Sequence, residues 1–403
     1  MTIIIGIVGK PSSGKSTFLN AACLTNAKVS EVPFTTIDPN KGVAYAKIDC
    51  LCKKLNLKDN PQNSICIDGK RFIPINLLDV AGLVPDAHKG KGLGNRFLND
   101  LSKADALLHI VDISGSLDKM GKRTADGLSD PYEDVVFLEK EINLWFNEIL
   151  KREDWDKFLK NFSREKGKFV DELYNRLSGI KVNKKQIVDA LKEANLENIN
   201  PNSWNESDLE RFSKILREIS KPIIIIANKI DKEIAEQKYY DLTKKINAKI
   251  FPCSALAEYV LREYSKKEII KYLQGSDNIK IVKKESLNPK EEEILKNIQE
   301  RILSKYGSTG VQEIINYAVF EITDQICIYP VSDINNYTDN SGNVLPDSFL
   351  VKKGTTLIDF VREKIHSELA DKFMFGIDAI SKKRLGESYI LQNNDVIKIV
   401  SSK

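Results

Sequence analysis

The chain has 403 residues, enough for two or three domains, and its 42% hydrophobic content supports real cores. Charged residues make up 29% but the net charge is only +4, so bulk charge gives no argument for nucleic acid, and DNA is not an expected partner. Six cysteines (Cys23, Cys50, Cys52, Cys66, Cys253, Cys327) without a C-x-x-C pair, and only three histidines, argue against a zinc site and for reduced thiols.

The opening TIIIGIVG lacks a basic leader and is far shorter than the ~20 apolar residues of a bilayer span, so a cytoplasmic chain with no membrane partner is expected. It is a predicted strand, followed by a glycine-containing loop and a helix in KSTFLNAACL. The loop reads GKPSSGKS over residues 9–16, the G-x-x-x-x-G-K-S pattern whose backbone N–H groups cradle phosphates. Gly9 and Gly14 let the backbone turn, with Lys10, Pro11, Ser12 and Ser13 between them. Lys15 would reach the β and γ phosphates, Ser16 would ligate Mg²⁺, and Thr17 ends the contacting stretch.

FTTIDPNKG (34–42) offers two threonine hydroxyls to the metal. The next strand, FIPINLLDV (72–80), carries Asp79, which can hold a Mg²⁺ water, and the Gly82 N–H can reach a γ-phosphate. Leu83 then stands where a water-orienting glutamine would follow that glycine. His88 reads as a solvent-exposed loop residue, and Gly90, Gly92 and Gly94 as hinges for the loop. ADALLHIVD (104–112) is a third strand, with His109 as a hydrogen-bonded core residue.

Across 126–218 the apolar residues recur every three or four positions, which predicts a helical insertion. Its segment 151–192 carries 12 Lys/Arg against 7 Asp/Glu, a balance of +5 that suits an RNA-facing arm or a solvated face. KPIIIIANK (221–229) is a fourth strand and runs into NKID (228–231). The two acceptor oxygens of Asp231 match the N1–H and N2 amine of guanine, donors that adenine lacks on that edge. Asn228 would tie this loop to the phosphate loop, and the Lys229 stem would cover the base. CSAL (253–256) adds a turn at Ser254, Ala255 and Leu256 whose backbone N–H can meet the guanine O6. Together with the phosphate motifs, each at a strand end, these make a GTP site. Continuous apolar strands of this kind suit an α/β fold, a mostly parallel sheet with helices on both faces.

A charged helical stretch then runs to about 320, with Asn288 as a cap and Pro289 at the first helical position. From 322, QICIYPV, DSFLVKKGTTLIDFVREKI and DVIKIV predict a small α+β module of short strands around one helix.

FTTIDPN, DVAGLVPDAHKGKGLGNRFLNDLSKADALLHIVD and the C-terminal module together resemble the Obg-like GTPases, specifically the YchF-related branch, over nearly the whole chain. The resemblance implies a doubly wound P-loop G domain (1–125 and 219–320), an inserted α-helical domain (126–218) and a C-terminal β-grasp, TGS-like domain (322–403). It implies GTP and GDP as ligands, hydrolysis as the reaction, Mg²⁺ as cofactor, and the ribosome or rRNA as partner. It selects Thr36 to join Ser16 and Asp79 at the metal, so that Lys15, Thr36 and Gly82 surround the reacting phosphate. Obg-like proteins carry a hydrophobic residue where Ras-like GTPases have glutamine, and Leu83 matches it. Slow intrinsic hydrolysis is implied, with water positioned by backbone, another side chain or a partner. Better-known YchF proteins have N-x-x-E and prefer ATP, whereas Lys229 and Asp231 keep N-K-x-D here. Several potassium-activated relatives have asparagine where this chain has Ser12, a poorer bridge to that ion. Competing readings are a YchF-like ATPase, a ribosome-associated nucleotide-binding scaffold with negligible turnover, and a small-molecule P-loop kinase. The kinase leaves NKID and CSAL without a purpose. The helical arm and the C-terminal module are expected to be dispensable for hydrolysis itself.

Overall fold

A computed structural model describes residues 3–23, 41–80, 94–151, 155–161 and 166–402. The larger sheet has seven strands: β1 (Ile4–Val8), β2 (Lys41–Asp49), β3 (Ile65–Ile67), β4 (Lys70–Asp79), β5 (Ala106–Asp112), β6 (Ile223–Asn228) and β7 (Ile250–Cys253). Their order is β2-β4-β1-β5-β6-β7. β1 sits in the middle, parallel to both β4 and β5, and β6 and β7 continue the parallel run. β2 is antiparallel to β4 along its full length, and β3 pairs with the first residues of β4 on the opposite side. The sequence pattern missed β2, because KGVAYAKID is half polar and its burial is partial.

Helices cover both faces. Lys15–Cys23, Ala255–Lys266 and Val311–Asn316 set Phe18, Ala255, Val311 and Ile314 against Ile5, Ile7, Ile75, Leu77 and Leu108. On the other face, Leu101, Leu138, Ile142, Phe212 and Leu216 meet Val8, Leu78 and Leu107. The helices between β5 and β6 belong to that second core. Pro131–Lys151 and Glu206–Ser220 lie on the sheet, and the shorter helices pack beyond them around stacked Trp155 and Phe158, 5.2 Å apart. Asn288 opens its helix with a capping box and Pro289 at the first position, as the sequence indicates, and Asn183 and Asn205 open two more helices with capping boxes.

A two-stranded ribbon, β8 (Ile270–Lys271) and β9 (Lys280–Ile281), precedes the C-terminal sheet. That sheet comprises β10 (Gln325–Val331), β11 (Phe349–Lys352), β12 (Phe373–Asp378), β13 (Arg384–Leu385) and β14 (Asp395–Ser401), in the order β11-β10-β14-β12-β13. Central β10 and β14 run parallel and the remaining pairs antiparallel. Leu357, Phe360 and Val361 of the crossing helix cover one face, against Ile326, Ile328 and Ile397. The other face is covered over β10 and the start of β14. Cys327, Tyr329, Leu345 and Val396 join Cys50, Leu51, Cys52 and Ile73 in the core of the larger sheet.

Candidate functional site

The parallel strands all end on one edge of the large sheet, where open α/β sheets bind their ligands. The loop after β1 is shaped by two glycines at φ +145° (Gly9) and +103° (Gly14). A Cβ on Gly9 would meet the Ile110 carbonyl, and one on Gly14 would meet Asn228 Nδ2. Ser12 takes the left-handed φ of +62° and is exposed, Pro11 and Thr17 are half-buried, and Ser13 is buried. The buried Lys15 ammonium folds over this loop, donating to the carbonyls of Gly9 (3.1 Å) and Lys10 (2.8 Å). Burial lowers its pKa, with the Asp79 charge opposing that shift. Lys10 pairs with Asp134 on the helix Pro131–Lys151 and donates to the Asp118 carbonyl at 3.3 Å, which ties the loop to the helical arm.

Ser16 Oγ donates to Asp79 Oδ2 at 3.2 Å, so these two sequence-selected metal ligands stand side by side. Burial raises the Asp79 carboxyl pKa, while Lys15 and the Ser16 hydrogen bond oppose the shift. Asp79 Oδ1 is buried with no hydrogen-bond partner among the described residues. Thr36, Gly82, Leu83, His88, Gly90 and Gly92 lie outside the described residues, and Gly94 is the first residue of the helix Gly94–Lys103.

On the base side, Asn228 Nδ2 donates to the Ser13 carbonyl at 2.9 Å, and Asn228 Oδ1 accepts from the Ala255 N–H at 3.1 Å. One side chain therefore links three loops. Asp231 is exposed, and Ser254 Oγ donates to its Oδ1 at 2.6 Å. The same Ser254 caps the helix Ala255–Lys266 by accepting from the Ala257 N–H. The CSAL turn differs from expectation in one respect. The Ser254 N–H donates to the Thr309 carbonyl at 3.0 Å and the Ala255 N–H to Asn228, so the protein itself holds both amides. Leu256, 56% exposed, follows in the first helical turn.

Sequence reasoning missed Asp112, the last residue of β5. Its carboxylate is fully buried, accepts from Ser114 and Ser116 hydroxyls at 2.6 Å each, and receives the Lys229 ammonium at 2.8 Å. Burial pushes its pKa up, but the Lys229 and serine hydrogen bonds outweigh burial and leave it lowered. The only signal in the sequence was an aspartate at a strand end, as for Asp79. His109 is a core residue, though its Nδ1 has no partner among the described residues, which corrects the hydrogen-bonded reading at that atom.

Comparison with known proteins gives three matched families. Residues 4–141 match a family described as 50S ribosome-binding GTPase, 226–333 one described as Obg-like GTPase YGR210-like, G4 motif-containing domain, and 334–401 the TGS domain. An uncharacterized GTP-binding protein of Methanocaldococcus jannaschii is 46% identical over 400 residues, covering 99% of each chain. The crystal structure of a GTP binding protein from Pyrococcus horikoshii superposes with a TM-score of 0.76 at 37% identity, covering 99% of this chain and 100% of that one. Rat Obg-like ATPase 1 is 30% identical over 285 residues, 68% of this chain and 66% of the relative. No described helix is long and apolar enough to cross a membrane.

Proposed function

Because the chain belongs to the Obg-like GTPases, with a P-loop G domain and a C-terminal TGS domain, we propose that it binds GTP and hydrolyses it to GDP and phosphate as a molecular switch. The observation that carries the choice of base is the exposed Asp231 carboxylate, held by Ser254 in a loop that Asn228 fastens to the phosphate loop. A fixed carboxylate with two acceptor oxygens recognises the paired donors of guanine. Lys229, anchored on Asp112, lays its stem along the base. With the Ser254 and Ala255 amides held internally, the first-turn amide of Leu256 becomes the donor for the guanine O6.

Gly9 to Thr17 wrap the phosphates with backbone N–H groups, and Lys15 transfers its ammonium from loop carbonyls to the β and γ oxygens. The orphaned Asp79 oxygen beside the Ser16 hydroxyl fits a hard, oxygen-seeking dication, so Ser16, Asp79 and Thr36 would hold Mg²⁺. When bound, the ion neutralises charge developing on the phosphate oxygens. The Gly82 N–H is assigned to the γ-phosphate. With Leu83 unable to orient water, basal turnover is slow and a partner accelerates it.

The partner is the ribosome or its RNA, a reading supported by the match of 4–141 to ribosome-binding GTPases and by the +5 balance of 151–192. Competition between GTP and ATP for the purified protein tests the base: comparable affinities would move the chain to an ATPase reading. Asp231→Asn is expected to lose about ten- to a hundredfold in GTP affinity while gaining affinity for xanthosine triphosphate. Co-sedimentation with ribosomes at two salt concentrations tests the partner, with tighter, salt-sensitive binding expected in the GTP-analogue state. Absence of co-migration in both nucleotide states removes the ribosome from the reading.

A further inference from the structure

The segment that joins β2 to β3 returns three thiols and a carboxylate to one point. Cys50 follows β2, Cys52 lies in the helical turn Leu51–Lys54, Asp59 in the loop, and Cys66 in the middle of β3. Their Sγ atoms and a carboxylate oxygen all lie within 4.8 Å of one another. Cys52 Sγ and Cys66 Sγ are 3.7 Å apart, and Cys50 Sγ donates to Asp59 Oδ2 at 3.2 Å. A tetrahedral zinc site with Zn–S bonds of ~2.3 Å has ligand-to-ligand edges of about 3.5–3.8 Å; the Cys52–Cys66 and Cys50–Asp59 separations are close to these, and the widest pairs would close by up to about 1 Å on binding. We propose that Cys50, Cys52, Asp59 and Cys66 bind one thiophilic divalent cation, zinc, in a closed structural site.

The charges close. Three thiolates and a carboxylate carry four negative charges; the cation removes two, and the fully buried Arg71 guanidinium, 3.1 Å from Asp59 Oδ2, offsets a third. Cys50 and Arg71 both meet Asp59 Oδ2, so on binding the carboxylate would turn to give one oxygen to the cation and leave the other to Arg71. Binding expels the three thiol protons to solvent, so affinity rises with pH. Four protein donors leave no open position for substrate, which is the character of a structural site. A Cys52–Cys66 disulfide is the competing chemistry. It requires the sulfurs to close to ~2.05 Å, needs an oxidant, and leaves Cys50 and Asp59 without a role.

The site is separate from the phosphate end. Cys66 pairs in register with Arg71, and β4 then runs eight residues to Asp79, roughly 26 Å. Instead the ligand loop meets the C-terminal module: Asn60 N–H donates to the Val344 carbonyl (2.9 Å), Asn63 exchanges hydrogen bonds with Ser348, and Arg71 donates to the Leu345 carbonyl (3.0 Å). The cation braces this junction. The pattern C-x-C-x₆-D-x₆-C escapes a search for C-x-x-C pairs, which is why sequence reasoning argued against zinc.

The test uses the full-length chain purified under reducing conditions from zinc-supplemented culture. Mass-spectrometric metal analysis is expected to find about one zinc per chain, retained in Cys23→Ser and lost in the Cys52→Ser/Cys66→Ser double variant. Should the double variant not fold, titrating chelator-stripped wild type with Co²⁺ is expected to raise the thiolate charge-transfer and tetrahedral d–d bands, which zinc then bleaches. Wild type that takes up neither metal overturns the proposal. So does zinc retained by the double variant, or a Cys52–Cys66 disulfide in chain isolated anaerobically.

Discussion

His109 lies on β5 directly across from Val8, the residue before the phosphate loop, and is only 2% exposed. Burial pushes its pKa from 6.5 down to about 3, and the nearby Lys15 and Lys10 charges add to the shift. The unfolded chain therefore takes up this proton near pH 6.5, whereas the folded chain resists it until about pH 3. Between those values the unfolded state holds more protons, so stability falls as pH falls. One such proton is worth about 1.4 kcal/mol per pH unit. His109→Gln removes the titration, and urea midpoints measured from pH 7.5 to 5 should decline less steeply in the variant than in wild type; parallel declines would contradict this origin. The turn at Gly9 and Gly14 was legible because the motif is contiguous and its glycines carry steric necessity. Asp112 was not, since its role exists only through Lys229, more than a hundred residues away in the chain.

Among the elements, the helix Ala255–Lys266 shows two tasks resting on one hydroxyl. Ser254 Oγ caps the helix at Ala257 and holds Asp231 Oδ1. Ser254→Ala should cost about 0.5–2 kcal/mol of stability, as losing a cap usually does. It should also release the Asp231 carboxylate, lowering GTP affinity several-fold while leaving the weaker ATP affinity unchanged. Calorimetric titration with both nucleotides separates this from a general loss of folding, which would weaken both. The continuous apolar strands and the helix capped by Asn288 were readable from local pattern. The partly buried β2, the inner strand β12 and the edge strand β13 were not, because their residues answer to neighbours far away in sequence.

Taken whole, the molecule is less modular than its sequence suggests. The two sheets share one apolar core, in which Cys327, Tyr329, Leu345 and Val396 close over Cys50, Leu51 and Ile73. Arg71, with no exposed surface, takes Asp59 and Ser64 from one side and the Leu345 carbonyl from the other. Stripping partners from a buried charge costs roughly 3–5 kcal/mol, and an uncovered core adds to it. Deleting residues 322–403 should therefore lower the thermal midpoint sharply or make the chain aggregate, instead of leaving an intact GTPase. A truncated chain with wild-type midpoint and nucleotide affinity would restore the picture of a detachable module. β4 passes through this arrangement from end to end, with Asp79 at the phosphate edge and Arg71 beneath the C-terminal sheet. Its pairing with β2 is continuous over nine residues, and a slip of one would turn Ile73, Ile75 and Leu77 out of the core. The strand cannot act as a piston. A push on Asp79 can reach the far end only by tilting the sheet as a stiff lever, with the C-terminal module swinging at its tip.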